Sequence, residues 1–168
     1  MPIKLLAAGF LTLIISISAT APAAKAAPPG PTIVDVTVGV NSLTGNFDTL
    51  IAALESADPI VLNTLSGNGQ HTVFAPTDDA FAAINLDETN VGNLPQETLT
   101  EILLYHVANG RRDSGDVTSS TQIRMLNRQF TQISVDSNGA FIDNAKIVLV
   151  DVPAANGIIH VIDDVLIP

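Results

Sequence analysis

The chain has 168 residues, enough for one domain with a sizeable core, and its formal net charge is −10. The sequence has no long basic stretch, which argues against nucleic-acid binding, because that function requires a cationic face for phosphates. Because the sequence contains no cysteine, the fold is expected to form without disulfides, and no thiol can act as a nucleophile.

The N-terminus has the pattern of an export signal. Lys4 supplies a positive start, and the apolar run over residues 5–19 is shorter than the roughly 20 residues that cross a bilayer. Ala24-Lys25-Ala26 then gives the small-x-small pattern that signal peptidase cleaves. We expect residues 1–26 to be removed, which leaves no membrane span; the alternative is an uncleaved anchor.

A single domain is predicted over residues 32–168, after a short proline-rich linker over residues 27–31. Its opening stretch is ambiguous. Valine occupies every second position from residue 34 to residue 40, which predicts a strand, but the same stretch also fits one face of a helix. The local pattern leaves both structures open.

Two longer helices are predicted from apolar residues at helical spacing. Asn46 can cap the first, and Phe47 begins its apolar face. The second covers residues 94–110, where Asn109-Gly110 is a typical helix end.

Between these helices the period changes. Residues 71–75 form a short apolar run that predicts a strand buried on both faces, and Pro76 ends it. Thr77 can cap a following helix that begins with Asp78-Asp79, because negative charge is favourable at a helix N-terminus.

The second half of the chain carries mainly β signals. After Arg111-Arg112-Asp113, which is expected to be a solvated turn, residues 122–136 partly alternate and residues 137–139 form a hairpin turn. Residues 140–152 are predicted as one return strand and residues 158–167 as the last strand. Because helices precede strands instead of alternating with them, the predicted fold class is α+β.

Spacing alone predicts no catalytic or metal site. His71, His106 and His160 are far apart in sequence, so only the fold could bring them together. His106 and His160 lie in apolar runs and are expected to be buried and hydrogen-bonded, whereas His71 is expected to be exposed.

The paired aspartates form no acid–base dyad by themselves. Asp78 and Asp79 are adjacent on a helix, and Asp163 and Asp164 are adjacent at a strand, so the members of each pair point in different directions. Asp163 or Asp164 is expected either to orient His160 or to bind a backbone group. No Gly-x-Ser-x-Gly nucleophile motif is present.

Three separated stretches resemble the signatures of the fasciclin domain family, and they occur in the family's order. They are HTVFAPTDDAF from residue 71, LLYHV from residue 103 and NGIIHVIDDVLIP from residue 156. The positions that carry the resemblance are Thr72, Val73, Phe74, Ala75, Pro76, Thr77, Phe81, Tyr105, His106, Asn156, Gly157, His160, Ile162 and Asp163.

The resemblance implies a compact β-wedge of about seven strands flanked by helices that lie mostly in the N-terminal half. It also implies that the stretch from Thr32 is a helix. The motif residues are implied to be packing and hydrogen-bonding elements, with no catalytic role and no cofactor. Fasciclin domains occur in secreted and surface proteins linked to cell adhesion, which implies a surface protein or polysaccharide as the partner.

Two positions depart from the family's pattern. Arg128 stands in a turn where the family often has glycine, which predicts a different or strained turn. Asp151-Val152 stands where adhesive animal members have Asp-Ile, so these two residues are candidate partner contacts, although the change argues against integrin binding.

Three functions are compared. The leading hypothesis is a non-enzymatic adhesion or interaction module that uses the loops at residues 87–94 and 151–155. The alternative is a periplasmic carrier with a small-ligand pocket between wedge and helices, to which Phe47 is not expected to contribute. A hydrolase is the third, and it requires two histidines and an aspartate around an open cleft.

Overall fold

The structure is a computed structural model that describes residues 29–168. The predicted signal peptide, residues 1–26, and the first part of the predicted linker lie outside the described residues. The α-helices are α1 (Ile33–Thr44), α2 (Asp48–Ser56), α3 (Pro59–Ser66), α4 (Asp78–Ala83), α5 (Gln96–Tyr105) and α6 (Ser114–Ser119), and a short 3-10 helix, Val91–Asn93, precedes α5. The strands are β1 (His71–Pro76), β2 (Val107–Asn109), β3 (Gln122–Arg124), β4 (Phe130–Asp136), β5 (Gly139–Ile142), β6 (Ala145–Ala154) and β7 (Gly157–Ile162).

The strands form one sheet in the order β2-β1-β7-β6-β5-β4-β3. β1 and β7 run parallel, and the other neighbouring pairs are antiparallel. The two end strands come together, because Ala108 forms a single bridge to Met125 and the Leu126 amide donates to the Val107 carbonyl at 2.7 Å. The result is a nearly closed wedge with helices mostly in the first half of the chain, which confirms the predicted fold class.

β1 and β7 are buried on both faces because the sheet separates two apolar cores. Alternate residues of β1 belong to different cores: Val73 and Ala75 pack against the helices, whereas Phe74 packs inside the wedge. In β7, Val161 belongs to the helical core and Ile162 to the inner one. Both strands therefore have apolar residues on both faces, as is usual for parallel pairs covered on each side.

Helix α1 resolves the ambiguity in the opening stretch. The strand predicted from alternating valines is wrong, and the helix implied by the family resemblance is confirmed. Thr32 and Asp35 form a capping box: the Asp35 amide donates to Thr32 Oγ1 at 3.3 Å, and the Thr32 amide donates to the Asp35 carboxylate at 2.8 Å. Gly45 ends the helix with a φ of 61°. Caps at both ends therefore favour the helix.

Helix α2 is capped from a distance, and the predicted Asn46 cap is wrong. The cap position is Phe47, which has no side-chain capping bond of its own. The carboxylate of Asp78 instead accepts hydrogen bonds from the amides of Asp48 at 3.1 Å and Thr49 at 2.8 Å. Asp78 thus serves the N-terminus of α2 as well as lying in the first turn of α4.

The helix predicted over residues 94–110 is shorter in the structure. It ends at Tyr105, because residues 107–109 leave the helix and pair with β1 as strand β2. A tertiary pairing therefore overrides the local helical pattern.

Three further differences lie in the second half. The last strand, predicted over residues 158–167, ends at Ile162. Helix α6 was not expected, and it begins after Asp113, whose carboxylate accepts from the Asp116 amide at 2.9 Å. The single return strand predicted over residues 140–152 is two strands, β5 and β6. They are separated by a turn in which Asp143 has a φ of 50°.

Asn156 joins the helices to the sheet and is fully buried. Its Oδ1 accepts from the Ile33 amide at 2.8 Å, at the start of α1. Its Nδ2 donates to the carbonyls of Leu65 at 2.6 Å and Gly67 at 2.8 Å, at the end of α3. One amide side chain therefore satisfies backbone groups at two helix ends that would otherwise be unpaired.

The next residue, Gly157, allows β7 to approach β1 closely. A Cβ atom at this position would overlap the His71 carbonyl oxygen and would lie 2.7 Å from Cδ1 of Ile33. The parallel pairing of β1 with β7 therefore requires glycine at residue 157.

Gly157→Ala is expected to lower the free energy of unfolding by about 3 kcal/mol, because the clash is with backbone and cannot be relieved by a rotamer change. Gly39→Ala in α1 is the matched control, since no heavy atom lies within 4 Å of the added Cβ, and it is expected to stabilise by about 0.5–1 kcal/mol. Urea unfolding measures both. A Gly157 variant as stable as the native protein would contradict the close approach.

Candidate functional site

The first motif stretch forms β1 and the start of α4. Residues 72–76 are buried within β1, and Thr77 caps α4 through its Oγ1, which accepts from the Ala80 amide at 3.4 Å. Phe81 is buried in α4 and belongs to the helical core. Most of this stretch therefore lies in the interior, whereas Asp78 is half-buried and Asp79 is exposed.

His160 lies at the centre of the sheet and is fully buried, as predicted. Its Nε2 is 2.9 Å from the Arg112 carbonyl, and its Nδ1 accepts from the Asp151 amide at 3.3 Å. These partners require a neutral ring with the proton on Nε2. The ring also stacks on Phe74, with centroids 5.5 Å apart. His160 therefore joins three backbone segments inside the wedge.

His106 is also buried, as predicted, but it has the opposite tautomer. Its Nδ1 is 2.8 Å from the Ile102 carbonyl, and its Nε2 accepts from the Leu166 amide at 3.0 Å. Burial lowers the pKa of His106 to about 4, and the hydrogen bond to Ile102 only partly opposes this shift. The ring is therefore neutral near pH 7 and links the end of α5 to the C-terminal segment.

Tyr105 precedes His106 in sequence, and its side chain points toward the interior of the wedge. Its hydroxyl donates to the Asp143 carboxylate at 3.0 Å and lies 3.3 Å from the Phe130 carbonyl. Burial raises the pKa of Tyr105 to about 12, and the bond to Asp143 adds to the shift. The phenol therefore stays protonated and acts as a hydrogen-bond donor.

The two aspartates after β7 bind backbone and do not touch His160. The Asp163 carboxylate accepts from the Lys146 amide at 2.7 Å, and the Asp164 carboxylate accepts from the Val165 amide at 2.8 Å. Of the two roles expected for these residues, backbone binding is the one observed.

The expected exposure of His71 is wrong. His71 begins β1 and is only 8% exposed, and its amide donates to the Asn156 carbonyl at 3.1 Å. The parallel partner strand β7 covers this residue from the side, which the preceding glycine-rich turn did not indicate.

The turn at Arg111-Arg112-Asp113 has Arg111 and Asp113 exposed, as expected for a solvated turn, but it also makes structural hydrogen bonds. Arg111 Nη1 donates to the carbonyls of Ala154 at 3.2 Å and Gly157 at 2.9 Å. The Arg112 amide donates to Thr72 Oγ1 at 2.9 Å, and its carbonyl receives His160. This segment therefore belongs to the hydrogen-bonded frame around β7.

Serine, aspartate and histidine meet beside this turn without forming a catalytic triad. The Ser114 amide donates to the Asp151 carboxylate at 2.8 Å, and the Ser114 hydroxyl donates to the same carboxylate. These bonds, the side-chain one foremost, lower the pKa of Asp151. His160 contacts only the Asp151 amide, so it cannot take a proton from Ser114. Sequence reasoning missed Ser114, since no local signal links it to a residue 37 positions away.

Asp151 and Val152, the candidate partner contacts, lie on an irregular part of β6. Asp151 is exposed with a φ of 61°, and the register of β6 against β7 shifts on either side of Leu149. This bulged backbone presents the Asp151 carboxylate at the surface, where Ser114 holds it in place.

An apolar cleft of about 230 Å³ opens between α1 and the strands β6 and β7. Its lining residues are Val36, Thr37, Val40, Thr44, Asn46, Phe47, Ala75, Thr77, Val148, Leu149, Val152, Ile159 and Val161. Phe47 was not expected to line a pocket, but it does so because it lies at the start of α2 and not within the helix. No charged side chain lines this cleft.

Residues 29–168 hold no group of three histidine, aspartate or glutamate side chains that could bind a metal ion. In the same range, no helix is long and apolar enough to cross a membrane.

Comparison with known proteins gives a consistent result. The family model of the fasciclin domain matches residues 45–168. Protein sll1483 of Synechocystis sp. is 37% identical over 139 residues, which cover 82% of this chain and 73% of that protein. Transforming growth factor-beta-induced protein ig-h3 of Sus scrofa is 34% identical over 84% of this chain, which corresponds to 20% of that protein's length.

A solved structure shares the fold. It is a FAS1 domain pair from the insect cell adhesion molecule fasciclin I, and it matches with a TM-score of 0.58 at 19% identity. The match covers 74% of this chain and 46% of that one, so it corresponds to about one of the two domains.

The depressed pKa of His106 predicts acid sensitivity. Between pH 6.5 and about 4 the unfolded chain binds a proton that the folded ring does not. The free energy of unfolding is therefore expected to fall as the pH falls through this window, by up to roughly 3 kcal/mol from this residue. His106→Gln removes the titrating group. The free energy of unfolding of this variant is therefore expected to change less with pH, whatever the stability of the variant at pH 7. Equal slopes in urea unfolding of both proteins would contradict this.

Proposed function

The chain belongs to the fasciclin domain family, and we propose that it acts outside the cytoplasm as a non-enzymatic module that binds a surface protein or polysaccharide. Residues 32–168 are proposed to be the functional unit, released by cleavage after Ala26. The burial of both motif histidines is the observation that carries the proposal.

Acid–base or nucleophilic catalysis needs an ionisable side chain that reaches the substrate. His106 and His160 are 2% and 0% exposed, and both nitrogens of each ring face backbone groups. The acid–base capacity of these rings is thus used inside the fold. This arrangement supports a module without catalytic activity and argues against the His/Asp hydrolase.

The relatives support adhesion as the kind of function. The solved relative comes from an insect cell adhesion molecule. The export signal expected over residues 1–26 fits an extracytoplasmic role, and the net charge of −10 favours solubility there.

Two surface segments are proposed to contact the partner. In residues 151–155, Asp151 and Pro153 are exposed. In residues 87–94, the Asp87 carboxylate accepts from the amides of Thr89 at 2.9 Å and Asn90 at 3.0 Å, which orders the loop. Glu88 and Thr89 are exposed there, whereas Val91 is buried in the helical core. Ordered, exposed loops lose less entropy on binding than flexible ones.

A retention experiment tests the proposal. Beads that carry the exported chain are expected to retain a specific component from the envelope or matrix of the source cell. Glu88→Arg or Asp151→Asn is expected to reduce retention by about tenfold, because each alters an exposed contact segment. Glu55→Arg on the exposed face of α2 is the control. Retention no greater than that of an unrelated protein of equal net charge would refute the proposal.

The apolar cleft favours a second function, the carriage of a small ligand. Its walls are mainly aliphatic, with hydroxyl and amide groups from Thr37, Thr44, Asn46 and Thr77. A ligand for this cleft is expected to be neutral and mostly apolar, with a polar end.

Binding of the neutral dye Nile red tests the cleft. Val40→Trp is expected to weaken dye binding by about tenfold, because the indole fills the space between α1 and β6. Val38→Trp on the exposed face of the same helix is the control and is expected to leave the affinity unchanged. An equal affinity of the native and Val40 variants, measured by fluorescence, would exclude a ligand site in the cleft.

A further inference from the structure

Three of the five lysine and arginine side chains within residues 29–168 gather at one place. The basic residues within positions 29–168 are Arg111, Arg112, Arg124, Arg128 and Lys146. One open cavity of about 330 Å³, here called the arginine cavity, is lined by Asn109, Arg112, Arg124, Met125, Leu126 and Arg128. Three of the five positive charges therefore face a single volume.

The arginine cavity lies where the two end strands of the sheet meet. Asn109 ends β2, Arg124 ends β3, and Arg128 lies in the turn between β3 and β4. The turn is fixed, because the Arg128 amide donates to the Met125 carbonyl at 3.0 Å. Arg112 is held through its backbone by Thr72 and His160. The three arginines thus extend from a rigid backbone frame.

Their guanidinium groups have no acceptor among residues 29–168. The Nε atom of Arg112 is buried and has no hydrogen-bond partner in that range. Arg111 differs, because its Nη1 donates to two carbonyls. A buried N–H without an acceptor is unfavourable, and an anion in the cavity would supply one.

The backbone of Arg128 gives an independent observation. Its φ is 73°, a conformation that glycine adopts more easily than a residue with a Cβ atom. The exposed side chain makes no hydrogen bond within the described chain that would compensate for this. A strained residue without a structural gain points to a gain in function.

We propose that the arginine cavity is an oxyanion site for the carboxylate or sulfate group of a polysaccharide, an assignment that rests on the proposed function. The planar guanidinium fork matches such groups with paired hydrogen bonds. The Asn109 amide and the Leu126 side chain offer further contacts for a sugar hydroxyl and ring. Because a net charge of −10 repels a densely charged polymer, the ligand is a mostly neutral chain with isolated acidic groups.

Titration with D-glucuronate, followed through the arginine Nε–H signals in NMR spectra, tests the site. Glucuronate is expected to shift the signals of Arg112, Arg124 and Arg128, and glucose is not. Arg128→Gly is expected to weaken glucuronate binding by at least about tenfold while raising the melting temperature, because glycine relieves the backbone. Lys146→Gln, which removes a positive charge elsewhere, is expected to change binding by less than about twofold.

Weaker binding together with a higher melting temperature cannot come from unfolding, so this pair of results supports the site. Inorganic sulfate that binds as tightly as glucuronate would overturn the polysaccharide assignment, and so would tighter binding of a hexaglutamate peptide. The site itself would be overturned if glucuronate shifted no arginine signal. It would also be overturned if Lys146→Gln weakened glucuronate binding as much as Arg128→Gly.

The glucuronate titration and the retention experiment can fail independently. A protein that binds glucuronate but retains no surface component keeps the oxyanion site and loses the proposed function. A protein whose retention is unchanged by Arg128→Gly, and which does not bind glucuronate, keeps the function and loses the site.

Discussion

The arrangement of helices and sheet depends on the hydrogen bonds of the Asn156 side chain. Both of its amide hydrogens and its oxygen are paired with backbone groups, at 2.6–2.8 Å, in a fully buried position. Each of those backbone groups would be left unpaired in the interior without it, at a cost of about 1–3 kcal/mol. Gly157 follows directly and lets β7 lie against β1. The Asn-Gly pair therefore fixes both the helix positions and the central strand pairing.

The two motif histidines, His106 and His160, also pair buried backbone groups, and they do so with opposite tautomers. A neutral imidazole donates on one side and accepts on the other, so it can join a backbone carbonyl to a backbone amide. His106 donates from Nδ1 and His160 from Nε2. In each case the carbonyl and the amide that the ring joins belong to segments distant from one another in sequence. Polar chemistry thus organises the interior, and the outer loops, the cleft and the arginine cavity are the places where we propose that recognition occurs.

The features that could be predicted are those encoded locally. Buried β1 followed from its apolar run, and the burial of His106 and His160 followed from their apolar neighbours. The features that could not be predicted depend on distant residues: Asp78 caps α2 from 30 positions away, and β1 draws residues 107–109 out of a helical pattern. The arginine cavity is of this kind, since its members come from the strands β2 and β3 and from the loops that follow each of them. Among these members only Arg128 could be noticed in the sequence, because it stands in a turn where the family often has glycine.

The short end strands of the sheet have a consequence for behaviour at high concentration. β2 and β3 have three residues each, and they bridge to one another through Ala108 and Met125. Open strand edges act as templates on which a second chain adds by hydrogen bonding, and long ones promote aggregation. Here each edge is brief, and the other edge occupies part of it. The sheet therefore offers a second chain little free edge on which to add, even though the β-content of the domain is high.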